Sequence, residues 1–296
     1  MRAIGRYDAG SLLLLQVRVG SSLSQTFEIQ NGLPQGSVIS PILFLIAIND
    51  LKPHDVKYSL FADDAAVWKC GKNVAYLQDK MQSVLDYIQE WCDHWGFKIS
   101  ILKTNFILFH RGKGKSVHLS LNGHPLKMVK NVTFLGMVFD QKFTWHQHIQ
   151  YLREKCQKRI NILKSLSGSN WGADKRTMII LYKTLIRSVL DYGSVVYHSA
   201  SNSVLKKLDV IQSQALRICC GALHCTPVCA LEEDCGVPPL HLRRNYLLQK
   251  SYIGYTYSVT NPAQICFNEC YQLYYGKYKE NFKPLLLKIE NATKEL

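Results

Sequence analysis

Two adjacent carboxylates, Asp63 and Asp64, interrupt the apolar run SLFADDAAVW between Ser59 and Trp68. Neighbouring anions repel each other and resist burial, and a divalent cation is the natural way to keep both ionised. Mg²⁺, or Mn²⁺ in the same role, takes carboxylate oxygens and leaves coordination positions for substrate phosphates. Two such ions about 4 Å apart stabilise the attacking and the leaving oxygen of a phosphoryl transfer. Aspartate is also a good turn former, so the dipeptide alone reads first as a hairpin tip. Its context has to decide.

The elements around the pair favour chemistry. Tyr58 to Trp68 reads as strand, tight turn and returning strand, which lifts both carboxylates to a sheet edge. Upstream lies the loop Gly32-Leu33-Pro34-Gln35-Gly36-Ser37, then Ser40-Pro41 and an apolar helix over 42–51. Two glycines let a backbone approach a flat or charged ligand closely. Gln35 offers an amide, and the helix start offers N–H groups for phosphate. A loop that only caps a helix, with Pro41 in its first turn, is the plainer alternative.

The rest of the chain reads as α+β with a change of character near Trp145. Leu12 to Ile29 suggests a strand pair turning at Gly20-Ser21-Ser22. Val74, Leu77, Met81, Val84, Leu85, Ile88, Trp91 and Trp95 fall in steps of three and four, an amphipathic helix. Phe97–Phe109 and Val132–Phe139 read as further strands. From 145 the pattern is helical, with apolar stripes over 149–166, 178–189 and 205–219. The expected domains are therefore 1–144, strands plus helices, and 145–296, mostly helical.

Lys and Arg number 36 against 22 Asp and Glu, a net charge of +14. Such an excess points to a polyanionic partner, nucleic acid or an acidic membrane surface. No stretch approaches the length of a membrane span, so integral membrane association is not expected. The ten cysteines are scattered through apolar helical patterns in a chain too long to need disulfide staples, which favours reduced thiols inside the cell, in cytoplasm or nucleus, and not secretion. Cys219, Cys220, Cys225, Cys229 and Cys235 with His224 lack paired zinc-knuckle spacing and read as small buried hydrophobes. His146 and His148 read as surface residues.

GLPQGSVISP, a following apolar helix and FADD together resemble the reverse transcriptases of non-LTR retrotransposons, most nearly the jockey-like elements. QVRVGSSLSQTFEIQNGLPQGSVISPILFLIAINDL is similar to the run into motif B of the palm, and SLFADDAAVW to motif C, the metal-binding hairpin. WGFKISILKTNFILF is similar to motif D, and VTFLGMVFDQKFTWHQHI to motif E, the primer-grip region. The resemblance implies a partial palm followed by a helical thumb-like domain, and RNA-templated DNA synthesis on an RNA template and a DNA primer with deoxynucleotides. By matching position it makes Asp63 and Asp64 metal ligands and puts Gln35, Gly36 and Ser37 at the nucleotide and template site. Lys103 becomes a proton donor to the leaving pyrophosphate, or a surface lysine ending a strand. Phe134, Leu135 and Gly136 become the primer grip, with plain core as the alternative for the first two.

The family carries a further aspartate, in motif A, well upstream of the loop. Only 31 residues precede Gly32, and neither Asp8 nor Glu28 matches its context. The expectation is a truncated or shortened copy of an element, an enzyme by descent that is inactive alone. The alternative is a non-catalytic retrotransposon remnant that binds RNA or DNA. In either case Arg153, Lys155, Lys158 and Arg159 on the first helix of the second half are expected to meet phosphates, unless they form a solvated face.

Overall fold

The computed structural model describes residues 13–15, 18–25, 27–29, 37–110, 116–168 and 171–257. It is α+β in class, with small sheets in the first half and helices dominating the second. The chain divides into two compact units, Met1–Phe134 and Leu135–Leu296.

In the first unit β1 (Leu13–Leu15), β2 (Arg18–Val19), β3 (Ser22–Leu23) and β4 (Phe27–Ile29) nest as antiparallel pairs, β2 with β3 inside β1 with β4. Helix α1 (Ser40–Ile48) follows, then the hairpin of β5 (Lys57–Phe61) and β6 (Asp64–Trp68), then α2 (Val74–Trp95). The unit closes with the short strands β7 (Asn105–Phe106), β8 (Ser120–Leu121), β9 (His124–Pro125), β10 (Lys127–Met128) and β11 (Asn131–Phe134).

Helix α2 organises this unit. The Asn73 side chain accepts from the N–H groups of Ala75 and Tyr76, and Gly96 stops the helix in a left-handed conformation, φ 71°. One stripe of α2, with Val84, Ile88, Trp91 and Cys92, packs with Ala47, Leu51 and Phe97 under Leu60 and Val67 of the hairpin. The Trp91 and Phe97 rings stack with centroids 5.2 Å apart. An adjoining stripe, Met81 and Leu85, packs on Leu119, Leu121 and Leu126. Glutamines of α2 reach the backbone beside these leucines. Gln78 accepts from His118 N–H, Gln82 accepts from Ser120 N–H and donates to its carbonyl, and Gln89 accepts from Asn122 N–H. Backbone groups that a wider sheet would satisfy are thus met by side chains.

Two strand expectations are corrected. Phe97–Phe109 is not a strand along its length. The Thr104 hydroxyl and N–H both donate to the Ser100 carbonyl, 2.9 and 3.0 Å, bending residues 101–103 into a turn. Only Asn105 and Phe106 pair, in parallel with Lys127 and Met128. Val132–Phe139 is likewise split, because the backbone turns at Leu135 (φ 47°) and Gly136 (φ 75°).

The second unit starts with β12 (Met137–Asp140) and α3 (His146–Leu166). Helix α4 (Lys175–Leu181) runs on through a π-helical turn, Tyr182–Arg187, into α5 (Ser188–Asp191). Then come α6 (Ser194–Tyr197), α7 (Asn202–Cys220), α8 (Val228–Asp234) and α9 (Leu240–Tyr257). The apolar stripes legible in the sequence form the core: Ile149, Leu152, Cys156, Ile160 and Leu163 of α3 with Leu205, Leu208, Ile211 and Leu216 of α7. Gln212 is buried among them with its amide satisfied. It accepts from the Tyr182 hydroxyl at 2.6 Å and donates to Glu232 at 2.9 Å. None of the described helices is long and apolar enough to cross a membrane.

Candidate active site

The hairpin register fixes where the two carboxylates stand. Phe61 pairs with Asp64, Leu60 with Ala65, and Tyr58 with Val67, so the connection is the two residues Ala62 and Asp63. Ala62 sits at φ 50°, the sign demanded of the first residue in the tight turn that suits the right-handed twist of a hairpin, a place that favours glycine. Asp64 opens the returning strand. With Asp63 in the turn and Asp64 in the strand, the two carboxylates part. Asp63 borders a small apolar cleft lined by Ile48, Leu51, Trp91, Phe97 and Lys98. Asp64 shares the other face with Phe61 and Trp68, which are 62% and 42% exposed. Both aspartates are exposed.

This arrangement offers hard oxygen donors from adjacent residues at the tip of a hairpin. Magnesium is commonly held by one or two carboxylates together with waters and substrate phosphates, and not in a closed protein cage. Each aspartate, exposed and facing apart from the other, offers one such carboxylate. Among the described residues no group of three or more His, Cys, Asp or Glu side chains converges as a metal site, so protein carboxylates alone would hold an ion loosely here.

The other expected site residues fall as follows. Gln35 and Gly36 lie outside the described residues. Ser37 is half-buried just before α1, and its hydroxyl accepts from Ile39 N–H at 3.3 Å. Lys103 is exposed in the turn of residues 101–103, and its backbone N–H donates to Ser100. It does not line the cleft beside Asp63. Lys98 does, a lysine that the resemblance to motif D did not single out.

Phe134 ends β11 half-buried, at the close of the first unit. Leu135 and Gly136 open the second, where Tyr192 holds them. Its hydroxyl donates to the Leu135 carbonyl at 2.6 Å, and a Cβ on Gly136 would rest 3.5 Å from its ring. The next residue, Gly193, has φ 67°, and a Cβ there would come within 2.3 Å of the Met137 sulfur. Tyr192-Gly193 is therefore the buttress of the Leu135-Gly136 turn. The sequence signal for it was the glycine after Asp191-Tyr192 in the middle of a helical stretch.

Residues just beyond that turn set the start of α3. The Asp140 carboxylate accepts from Thr144 N–H (2.8 Å), the Thr144 hydroxyl (2.9 Å) and Trp145 N–H (2.7 Å). Burial pushes its pKa up, but these hydrogen bonds outweigh that and hold it below the ordinary carboxylate value. His148, expected at the surface, is fully buried instead. The α3 stripe turns it inward among Trp145, Tyr151 and Tyr197.

The four basic residues of α3 divide. Arg159 is half-buried and its guanidinium donates to the Leu185 carbonyl in the π-helical turn. Arg153 is half-buried, with one guanidinium nitrogen 3.3 Å from Gln150. Lys155 and Lys158 are exposed, Lys155 with its ammonium 5.6 Å from the Tyr151 ring centroid. On α4 and the π-helical turn, Lys175, Arg176 and Lys183 line an open groove with Ile179 and Ile180, and Lys175 pairs with Asp234 at 2.6 Å.

Residues 7–139 match the family described as reverse transcriptase (RNA-dependent DNA polymerase). The chain is similar to the RNA-directed DNA polymerase from mobile element jockey of Drosophila melanogaster, 28% identical over 243 residues, covering 79% of this chain and 26% of that protein. It is also similar to the jockey polymerase of Drosophila funebris, 28% identical over 221 residues, 72% of this chain and 24% of that one. With the probable RNA-directed DNA polymerase from transposon X-element of Drosophila melanogaster it shares 24% identity over 214 residues, 69% of this chain and 23% of the relative. The chain thus spans about a quarter of the length of these three relatives.

Proposed function

We propose, from the match of residues 7–139 to the reverse transcriptase family, that this chain supplies the metal-binding hairpin and primer-handling turn of an RNA-directed DNA polymerase. Its substrates are an RNA template, a DNA primer and deoxynucleotides, and its place of action is the cytoplasm or nucleus. Residues 1–144 serve as part of the palm and residues 145–296 as the thumb-like domain. The observation that carries this reading is the β5–β6 register, which puts the consecutive residues Asp63 and Asp64 at the exposed tip of a packed hairpin, one in the turn and one opening the returning strand.

In this reading Asp63 and Asp64 hold Mg²⁺ or Mn²⁺, whose bound form would activate the primer hydroxyl and offset charge on the leaving pyrophosphate. Gln35, Gly36 and Ser37 line the nucleotide and template side. Leu135 and Gly136, braced by Tyr192, present backbone to the primer end, with Phe134 beside them. Lys103 donates a proton to the pyrophosphate. Lys155 and Lys158 neutralise backbone phosphates, while Arg153 and Arg159 steady the helix that carries them.

Primer extension on an RNA template with Mg²⁺, beside an Asp63→Ala control, tests the reading. Two carboxylates from one turn bind metal weakly, so the 296-residue polypeptide alone is expected to bind template–primer in a salt-sensitive manner without extending it. Extension abolished by Asp63→Ala would mean that a further carboxylate outside the described residues completes the site. Absence of template–primer binding at low salt would sink the polymerase reading and the remnant alternative together.

A further inference from the structure

We propose that Cys220 and Cys235 form a reversible modification site, a dithiol that a hydroperoxide closes to a disulfide across the α7–α8 connection. Their sulfur atoms stand 2.8 Å apart, within about 0.8 Å of bonding distance. Both cysteines lie where the backbone is already pinned. Cys220 is the last residue of α7, and Gly221 caps the helix at φ 63° with its N–H on the carbonyls of Arg217 and Ile218. Cys235 caps α8, its N–H on Leu231 and Glu233. Between them, Glu232 is tied to Gln212 and Leu231 is buried in the core. Bridging the two sulfurs therefore needs side-chain rotation and little main-chain movement.

Neighbouring cysteines are placed differently. The Cys219 thiol points to the Met178 carbonyl at 3.4 Å, and Cys225 and Cys229 are exposed on the intervening segment. Cys220 is half-buried and Cys235 buried, so Cys220 is the sulfur that an oxidant meets. Burial, with Cys235 and the Asp234 carboxylate beside it, pushes the Cys220 thiol up to about 12, so the resting pair is a protonated dithiol.

Closure balances as two steps with hydrogen peroxide. The Cys220 thiol releases its proton, the thiolate sulfur attacks one peroxide oxygen, the O–O bond breaks, and Cys220 becomes a sulfenic acid as the departing hydroxide takes up a proton and leaves as one water. The Cys235 sulfur then attacks the Cys220 sulfur. The S–O bond breaks, the S–S bond forms, and the departing hydroxide takes the Cys235 proton as a second water. Two thiols lose two electrons, and one peroxide is reduced to two waters. A dithiol reductant reverses the bond by thiol–disulfide exchange.

The test is peroxide treatment of the full chain, alkylation of remaining thiols, and digestion with a protease that cuts after Glu232 and Glu233. The expected result is a Cys220 peptide joined to a Cys235 peptide in the wild type and in Cys219→Ser, but not in Cys220→Ser. A rise in Tm of about 5 °C, reversed by dithiothreitol, should accompany it. A link through Cys225 or Cys229 instead, or Cys220 carried to sulfinic acid without a link, overturns the assignment. Should Cys220→Ser fail to fold, the wild type decides by differential alkylation: Cys220 and Cys235 must lose their labels together, and independent loss counts against the site.

Discussion

His148 is enclosed by the rings of Trp145, Tyr151 and Tyr197. Its Nδ1 accepts from Val138 N–H at 3.3 Å, so Nε2 carries the proton, and Nε2 is buried with no hydrogen-bond partner. The imidazole is consequently held neutral, with burial lowering its pKa from the ordinary 6.5 to about 4. The unfolded chain takes up a proton at this side chain as pH falls below 6.5, while the folded chain does so only near 4. Stability from this residue is complete above pH 6.5 and drains away as pH drops toward 4. The urea midpoint of the wild type should fall between pH 7.5 and 5, and His148→Phe should flatten that slope. An identical slope in the variant would assign the loss elsewhere. The contrast with Asp140 is instructive, since a buried carboxylate with three donors is kept charged where a buried imidazole with one is kept neutral.

At the scale of elements, the β5–β6 hairpin combines a packed face with a strained tip. Leu60 and Val67 rest on α2, while Ala62 holds a left-handed φ that costs a residue with a Cβ about 1–2 kcal/mol. Conformational strain of this size persists when surrounding packing over-determines it, and it concentrates at functional sites. Ala62→Gly should therefore stabilise the chain by about 1 kcal/mol in denaturant titration. A destabilised variant would show that the Ala62 methyl contributes packing that outweighs its strain. The hairpin's existence was legible from the alternation around FADD. Its two-residue register was not, because nothing in the sequence says which of Ala62, Asp63 and Asp64 belong to the turn until cross-strand pairs are fixed. Likewise the α2 glutamines look like a solvated face and turn out to hold strand backbone.

For the whole molecule the net charge of +14 becomes a statement about salt. Each phosphate neutralised contributes about 0.9 to the slope of log K against log salt on duplex. The double substitution Lys155→Ala with Lys158→Ala should lower that slope by about 2 and weaken binding alike on all template sequences. Arg159→Ala should instead cost stability, because its guanidinium bonds Leu185. An unchanged slope in the double variant would remove α3 from the nucleic-acid interface.

Periodicity and composition determined a good deal by themselves: the α+β class, helix α2, the apolar stripes of α3 and α7, the hairpin bearing Asp63 and Asp64, and the excess of positive charge. Each of these follows from local spacing or summed charge, which a linear chain already carries. Tertiary structure alone decided that His148 faces inward, that Lys98 and not Lys103 borders the cleft beside Asp63, that Arg159 is a cross-link, and that Cys220 meets Cys235. Those are matters of which surfaces meet at long sequence separation or on which side of a turn a residue falls, and helical or strand period leaves such choices open until the core is packed.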